Sequence, residues 1–414
     1  MKLLPASGLL PARVGSLRWV LSLAALAGVT ALSIDMSLPA QPTLAHEFRV
    51  GPEVSQLTLS LFLAGFAVGQ VVFGYLSDAF GRRPALLAGL VLFTVAGGGC
   101  ALSPSMGLLL ASRLVQGLGA AAAPVVARAM VRDTQPAASA ARMLSTIMAV
   151  LAVAPMLAPL VGAWLLDRLG WHAIFGALST IGVGFTAMSA FTLPETLPPE
   201  RRAALDPRAI ASGFARFFRT RGTVLPTAFV CLSFAGQFAF ISDSPFVLID
   251  GFHVPSGQYG FYFGATALAL MGGATLGGRL LRRVPPSRVL AFGAITLCAG
   301  GLLVSAGVRA QSLGPLGLVA PMIVYFVGIG LTGPSATAIA MDPVPEIAGT
   351  ASAMIGFLQM LSGAVSGAAT TSLGGSDPRV LGQVLAAVGA VAVALLAAQT
   401  LRVRGVRATL PARR

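Results

Sequence analysis

Apolar runs long enough to cross a bilayer alternate along this chain with short connections rich in Pro, Gly and Arg. A helix rising ~1.5 Å per residue needs about 20 apolar residues to span the hydrocarbon. Runs of about that length lie near 17–38, 54–75, 85–102, 106–131 and 143–166, and another follows Trp171 and His172 and ends near Leu193. More lie near 223–249, 259–281, 289–308, 316–341 and 348–373, with a last one ending near Leu401. The pattern predicts an all-α polytopic membrane protein of about twelve transmembrane helices. The longest polar stretch, 194–222, divides it into an N-terminal six-helix bundle (1–193), a linker (194–222) and a C-terminal six-helix bundle (223–414). Phe214 to Phe218 of that linker reads as an amphipathic helix lying on the membrane surface.

The two halves repeat weakly. At an offset of 208 residues Gly28 aligns with Gly236, Asp35 with Asp243, Gly65 with Gly273 and Gly69 with Gly277. At 211, Gly117 aligns with Gly328, Gly119 with Gly330 and Met130 with Met341, while Arg113 aligns with Val324. The halves are thus pseudo-symmetric in build and unequal in chemistry.

Composition agrees with the pattern: 56% of the 414 residues are hydrophobic and only 10% charged, and the mean hydropathy is +0.83. A soluble globular chain does not carry so much apolar surface. The net charge of +14 suggests a nucleic-acid partner until the arginines are placed. With the N-terminus inside, the inner connections hold Arg82 and Arg83, Arg128, Arg132 and Arg142, the arginines from Arg201 to Arg221, Arg279 to Arg288, and both tails. The outer connections hold Arg49, Arg168, Arg309 and Arg379. This is the positive-inside bias; it predicts a multi-pass membrane protein with both termini cytoplasmic and removes nucleic acid as a partner. The basic start followed by an apolar run also fits a signal peptide, but eleven further runs favour an uncleaved first helix. Cys100, Cys231 and Cys298 lie far apart in apolar runs, as small core residues do.

Ionisable groups inside spans are costly, so each marks a functional candidate. Asp35 lies in the outer third of the first span, and Arg113 about two turns in from the outer end of the fourth. The two reach similar depth from opposite directions, so they can meet if those helices are neighbours. Gln116 follows Arg113 by one turn, and Asp243 interrupts the seventh span. Burial and a nearby guanidinium act in opposite directions on the Asp35 proton, a balance that suits a group taking up and releasing protons.

The sharpest punctuation in the chain runs Gly74, Tyr75, Leu76, Ser77, Asp78, Ala79, Phe80, Gly81, Arg82, Arg83, Pro84. It reads as a charged hinge between the second and third spans, with Gly81 allowing a tight reversal. It resembles the loop between helices 2 and 3 of the major facilitator superfamily at every position of the pattern, from Gly74 and Leu76 through Asp78 and Gly81 to Arg82 and Arg83. The spacing of Arg113, Gln116 and Gly117 is similar to the helix-4 motif of proton-coupled facilitators, which implies proton transfer at Arg113. Asp133 matches the acid that contacts the arginine of the 2/3 loop, here Arg82 or Arg83. Pro155, Pro159 and Gly162 resemble the antiporter motif of helix 5, with alanines at 154 and 158 in place of two glycines, and that motif favours export.

The resemblance covers essentially the whole chain and implies a twelve-helix drug:proton antiporter of the bicyclomycin/chloramphenicol resistance type. It implies helices 1, 4, 7 and 10 lining a central cavity open alternately to each side, where Met36, Phe62, Phe66, Phe238, Phe246, Phe357 and Gln359 offer mainly apolar contacts to a bulky small-molecule substrate and Asp35, Gln116 and Asp243 its polar partners. It also implies a proton gradient with no cofactor and a monomer in the lipid bilayer of the bacterial inner membrane. Exporting a metabolite such as a sugar or amino acid is the alternative within the same class. An intramembrane enzyme or a receptor is the alternative from another class, and it lacks its parts. His46, His172 and His253 all fall near the outer surface, and no zinc or phosphate-loop signature appears, so no metal site is expected.

Overall fold

The computed structural model describes residues 14, 16–136, 139–140, 143, 147, 154–203, 207–374 and 377–409. Among them are twelve long helices, numbered here in chain order. The first six are α1 (Leu17–Asp35), α2 (Pro52–Phe80), α3 (Arg82–Ala101), α4 (Met106–Thr134), α5 (Ala154–Leu169) and α6 (Trp171–Thr192). The rest are α7 (Val224–Pro245), α8 (Ser256–Leu280), α9 (Pro286–Gly307), α10 (Pro315–Met341), α11 (Ala348–Ser372) and α12 (Pro378–Thr409). Among the described residues, ten segments are long and apolar enough to cross a membrane. The other two helices are α5, of whose expected first part, 143–153, only residues 143 and 147 are described, and α8, where seven-fold glycine dilutes the apolar side chains.

Two compact units divide the chain: Met1–Ala209 with Ser256–Gly260, and Ile210–Pro255 with Phe261–Arg414. In the first, α4 is central: α2 and α3 both pack on it, α3 also packs on α6, and α1 lies against α4 and α5. In the second, α7 carries α10, α11 and α12, and α9 packs on α10 and α12. Large apolar side chains such as Val68, Val95, Phe292 and Val365 are exposed, while Arg113, Gln116 and Asp243 are buried. Lipid offers apolar side chains no incentive to leave it, so close packing and hydrogen bonds hold such helices together. The glycine stripe of α2, Gly65 and Gly69, sits directly on the α4 backbone at Leu114 and Leu118.

Two boundaries differ from the sequence expectation. The first span does not continue to Leu38 and then open into a loop. α1 stops at Asp35, and the chain re-forms as a 3-10 turn (Leu38–Ala40) and a short helix, Gln41–Glu47. Proline explains the stop, because Pro39 has no N–H to return to the Asp35 carbonyl. The second span does not end at Tyr75. α2 runs 29 residues to Phe80, about 43 Å at ~1.5 Å per residue, so its last turns pass beyond ~30 Å of hydrocarbon. The expected hinge therefore shrinks to Gly81 alone, between α2 and α3, at φ 105°.

Candidate functional site

The buried polar set of the first unit begins with the way α1 ends. Ser37 N bonds Ile34 O at 3.2 Å instead of continuing the helical ladder to Ser33. The Ser33 carbonyl is thereby released. It accepts from Ser37 Oγ at 3.3 Å and from Arg113 Nη2, also at 3.3 Å.

Arg113 is fully buried on α4. Its Nε donates to the Thr58 carbonyl at 3.2 Å and its Nη1 to Gln116 Oε1 at 2.7 Å. The guanidinium lies 4.4 Å from the Phe62 ring centre and 5.5 Å from that of Phe175. Three carbonyl oxygens and two ring faces thus surround a group that always carries charge. The expected partner is not among them: Arg113 bonds the Ser33 carbonyl, two residues short of the Asp35 side chain. Among the described residues the Asp35 carboxyl, 5% exposed, makes no hydrogen bond and no ion pair.

Neighbouring candidates close around this pair. Met36 follows Asp35 and is buried, and its carbonyl faces α5 at Gly162, where an added Cβ would lie 2.1 Å from that oxygen. Only glycine permits this approach, so one residue of the proline-containing α5 motif rests on the segment bearing Asp35. Pro159 is buried one turn earlier, and Pro155 is half-buried at the start of α5. Phe62 stacks on Phe66 with ring centres 6.4 Å apart.

The second-half candidates lie in the other unit. Asp243 is fully buried on α7, and its Oδ1 accepts from Thr371 Oγ1 of α11 at 3.3 Å. Pro245 cannot donate to the Ile241 carbonyl; Ser244 Oγ does so at 3.3 Å. A π-helical turn, Phe246–Gly251, follows and carries the buried Phe246. Phe238 packs on Phe234 with ring centres 4.6 Å apart, and Phe357 and Gln359 are half-buried on α11.

At the junction of α2 and α3, Arg82 gathers the motif. Its Nε donates to Asp133 Oδ2 at 2.7 Å, its Nη1 to Ser77 Oγ at 3.0 Å, and it pairs with Asp78 one turn earlier on α2. Arg83 points elsewhere, to the Ala190 carbonyl. Gly74 lies one helical turn before Asp78, and its carbonyl accepts from Ser77 Oγ at 2.8 Å.

Several participants carried no signal in the sequence. Glu195, read as linker, accepts the first two N–H groups of α3, Arg82 N at 2.9 Å and Arg83 N at 3.1 Å, a cap supplied from far along the chain. Gln41, read as loop, is buried, and its side-chain amide joins Ser55 and Thr58 of α2, at 3.0 and 2.9 Å. Ser33 and Thr58 act through backbone carbonyls, which no side-chain pattern reveals. His46, His172 and His253 are all exposed.

A profile of the Major Facilitator Superfamily matches residues 23–367. The MFS-type transporter YdgK of Bacillus subtilis is 34% identical over 361 residues, which cover 83% of this chain and 87% of that protein. The bicyclomycin resistance protein homolog of Haemophilus influenzae is 30% identical over 357 residues, 86% of this chain and 89% of the relative. The multidrug resistance protein MdtL of Escherichia fergusonii is 30% identical over 325 residues, 72% and 81% of the two chains. Among solved structures, a D-xylose-proton symporter superposes with a TM-score of 0.71 at 16% identity, covering 91% of this chain and 97% of its own, a likeness of fold alone.

Proposed function

This chain belongs to the major facilitator superfamily as a multi-pass membrane transporter, and from that premise we propose that it exports small-molecule drugs of the amphenicol, bicyclomycin or wider multidrug kind in exchange for protons. The drug reading rests on the relatives named for bicyclomycin and multidrug resistance. The proton reading rests on one observation: a buried carboxyl at Asp35 has no partner among the described residues, two residues from a carbonyl that holds the guanidinium of Arg113.

An unpaired buried carboxylate is expensive, and a proton removes most of that cost. In the proposed cycle Asp35 is protonated while Arg113 is occupied by Ser33, Thr58 and Gln116, the arrangement seen here. A small shift of the α1 end brings the carboxyl to the guanidinium, and the ion pair then favours release of the proton. Met36 carries that shift to Gly162 of α5, and bound substrate competes for the same charges. Each proton that enters from outside and leaves inside moves one substrate outward, with both termini in the cytoplasm and the chain acting as a monomer.

Everted membrane vesicles from cells expressing the protein test this. Acidifying the vesicle interior should drive uptake of an amphenicol or a cationic dye, and Asp35→Asn should remove the dependence on the pH gradient while the protein stays folded. Full gradient-driven uptake by that variant would refute the assignment.

A further inference from the structure

We propose that the second unit holds an anionic phospholipid of the bilayer in a groove between α11 and α12. Both helices pack on α7 but scarcely on each other, which leaves a groove of about 310 Å³ with α7 as its floor. Ala228, Cys231, Leu232 and Ala235 form the floor, Ser362 one wall, and Val391 and Leu395 the other. Ser362 is the one hydroxyl in that lining, and it is turned inward: Oγ donates to the Cys231 carbonyl at 3.0 Å and to the Gln359 carbonyl at 2.7 Å. The surface left to an occupant is hydrocarbon.

The floor residues recur at helical spacing, and from Ala228 to Ala235 they cover about 10 Å of a leaflet that is about 15 Å deep. That length suits one acyl chain lying along the membrane normal.

Charge decides which lipid. At the end of the groove where α7 begins and α12 finishes, Arg219 and Arg221 are exposed and have no ion pair among the described residues. Arg216, nearby on the linker helix Pro207–Arg219, is already paired with Glu346. No acid lies within α7 before Asp243 or anywhere in α12. An apolar slot whose floor helix starts just after Arg219 and Arg221 matches an acyl chain attached to a phosphate of net negative charge, and a zwitterionic lipid gains much less there. The bilayer supplies this ligand in excess, so the site needs no other partner.

Native mass spectrometry of the purified full-length protein, titrated with phosphatidylglycerol or phosphatidylcholine, tests the assignment. The expected result is one phosphatidylglycerol retained per chain, and phosphatidylcholine retained far less. Removing headgroup contacts in the variant Arg219→Gln/Arg221→Gln should weaken phosphatidylglycerol retention by about five-fold per arginine. Filling the slot with Ala235→Trp should abolish retention, with Ala235→Leu as the milder variant if the bulkier one lowers the yield of folded protein. An unchanged elution profile and thermal unfolding temperature establish that each variant is folded. Equal retention of both lipids overturns the proposal. So does loss on removing the arginines with full retention in both filled variants, because that pattern describes headgroup attraction to the surface and leaves the groove empty.

Discussion

At the scale of single residues, a fixed cation is held by neutral oxygens. Arg113 satisfies three of its donors with Thr58, Ser33 and Gln116 and places its plane near two aromatic rings, an arrangement only a flat, forked group can make. Arg113→Lys keeps the charge and loses the fork. Each hydrogen bond from a charged donor contributes about 1.5–3 kcal/mol, so the variant should unfold at lower temperature and transport poorly; wild-type values for both would show that the fork is not needed. Asp35 and Arg113 were legible in the sequence because charge inside an apolar run is conspicuous. Their relation was not. It depends on how α1 stops, and the oxygen that Arg113 takes belongs to the backbone of Ser33, whose side chain announces nothing. Gln41 was hidden for a similar reason: an amide just past a proline reads as loop until the chain is seen to turn back onto α2.

At the scale of elements, two junctions do most of the positioning. Between α2 and α3 the chain reverses through Gly81 alone, and the reversal is held by Arg82 bonded to Asp133 and Asp78 and by Glu195 on the first N–H groups of α3. Truncating Glu195→Ala removes a cap, which costs about 1 kcal/mol, and denaturant titration should show a loss of that order. A double-mutant cycle of Arg82→Gln and Asp133→Asn should return a coupling of about 0.5–3 kcal/mol; additive effects would mean the contact carries no net energy. The arginines, the glycine and both aspartates of this junction stood out in sequence, since turn chemistry is local. Glu195 did not, because a cap that arrives from beyond α6 leaves no local spacing to read.

The second junction is α5 against the end of α1. A methyl group at position 162 would meet the Met36 carbonyl at 2.1 Å, so Gly162→Ala must push α5 away from the segment bearing Asp35. Such overpacking costs about 1–3 kcal/mol. The expected outcome is a lower unfolding temperature together with weakened coupling to the pH gradient. A change in stability with coupling intact would separate the helix contact from the proton step.

At the scale of the whole molecule, the run of apolar segments was enough to read an all-helical, multi-pass fold, because bilayer thickness fixes segment length. The family match and the superposed structures agree with that reading. The lengths of individual helices were less legible. α2 passes well beyond the hydrocarbon, and hydropathy does not register the polar last turns of a helix that has already left the membrane. Each unit has its own buried acid, Asp35 in one and Asp243 in the other, yet among the described residues only the first also has an arginine buried within its helices, held by a carbonyl two residues from the acid. On that inequality we assign the proposed proton step to the first unit. Asp243→Asn should therefore leave gradient dependence in place while altering which substrates are carried, measured as a change in the pattern of drug susceptibility.

The account stands most directly on gradient-driven transport by purified protein in proteoliposomes, wild type against Asp35→Asn, with an imposed pH difference as the only driving force. It predicts drug movement against its own concentration gradient by the wild type, and by Asp35→Asn only movement down that gradient, at a rate indifferent to pH. Accumulation by Asp35→Asn equal to that of the wild type would contradict it.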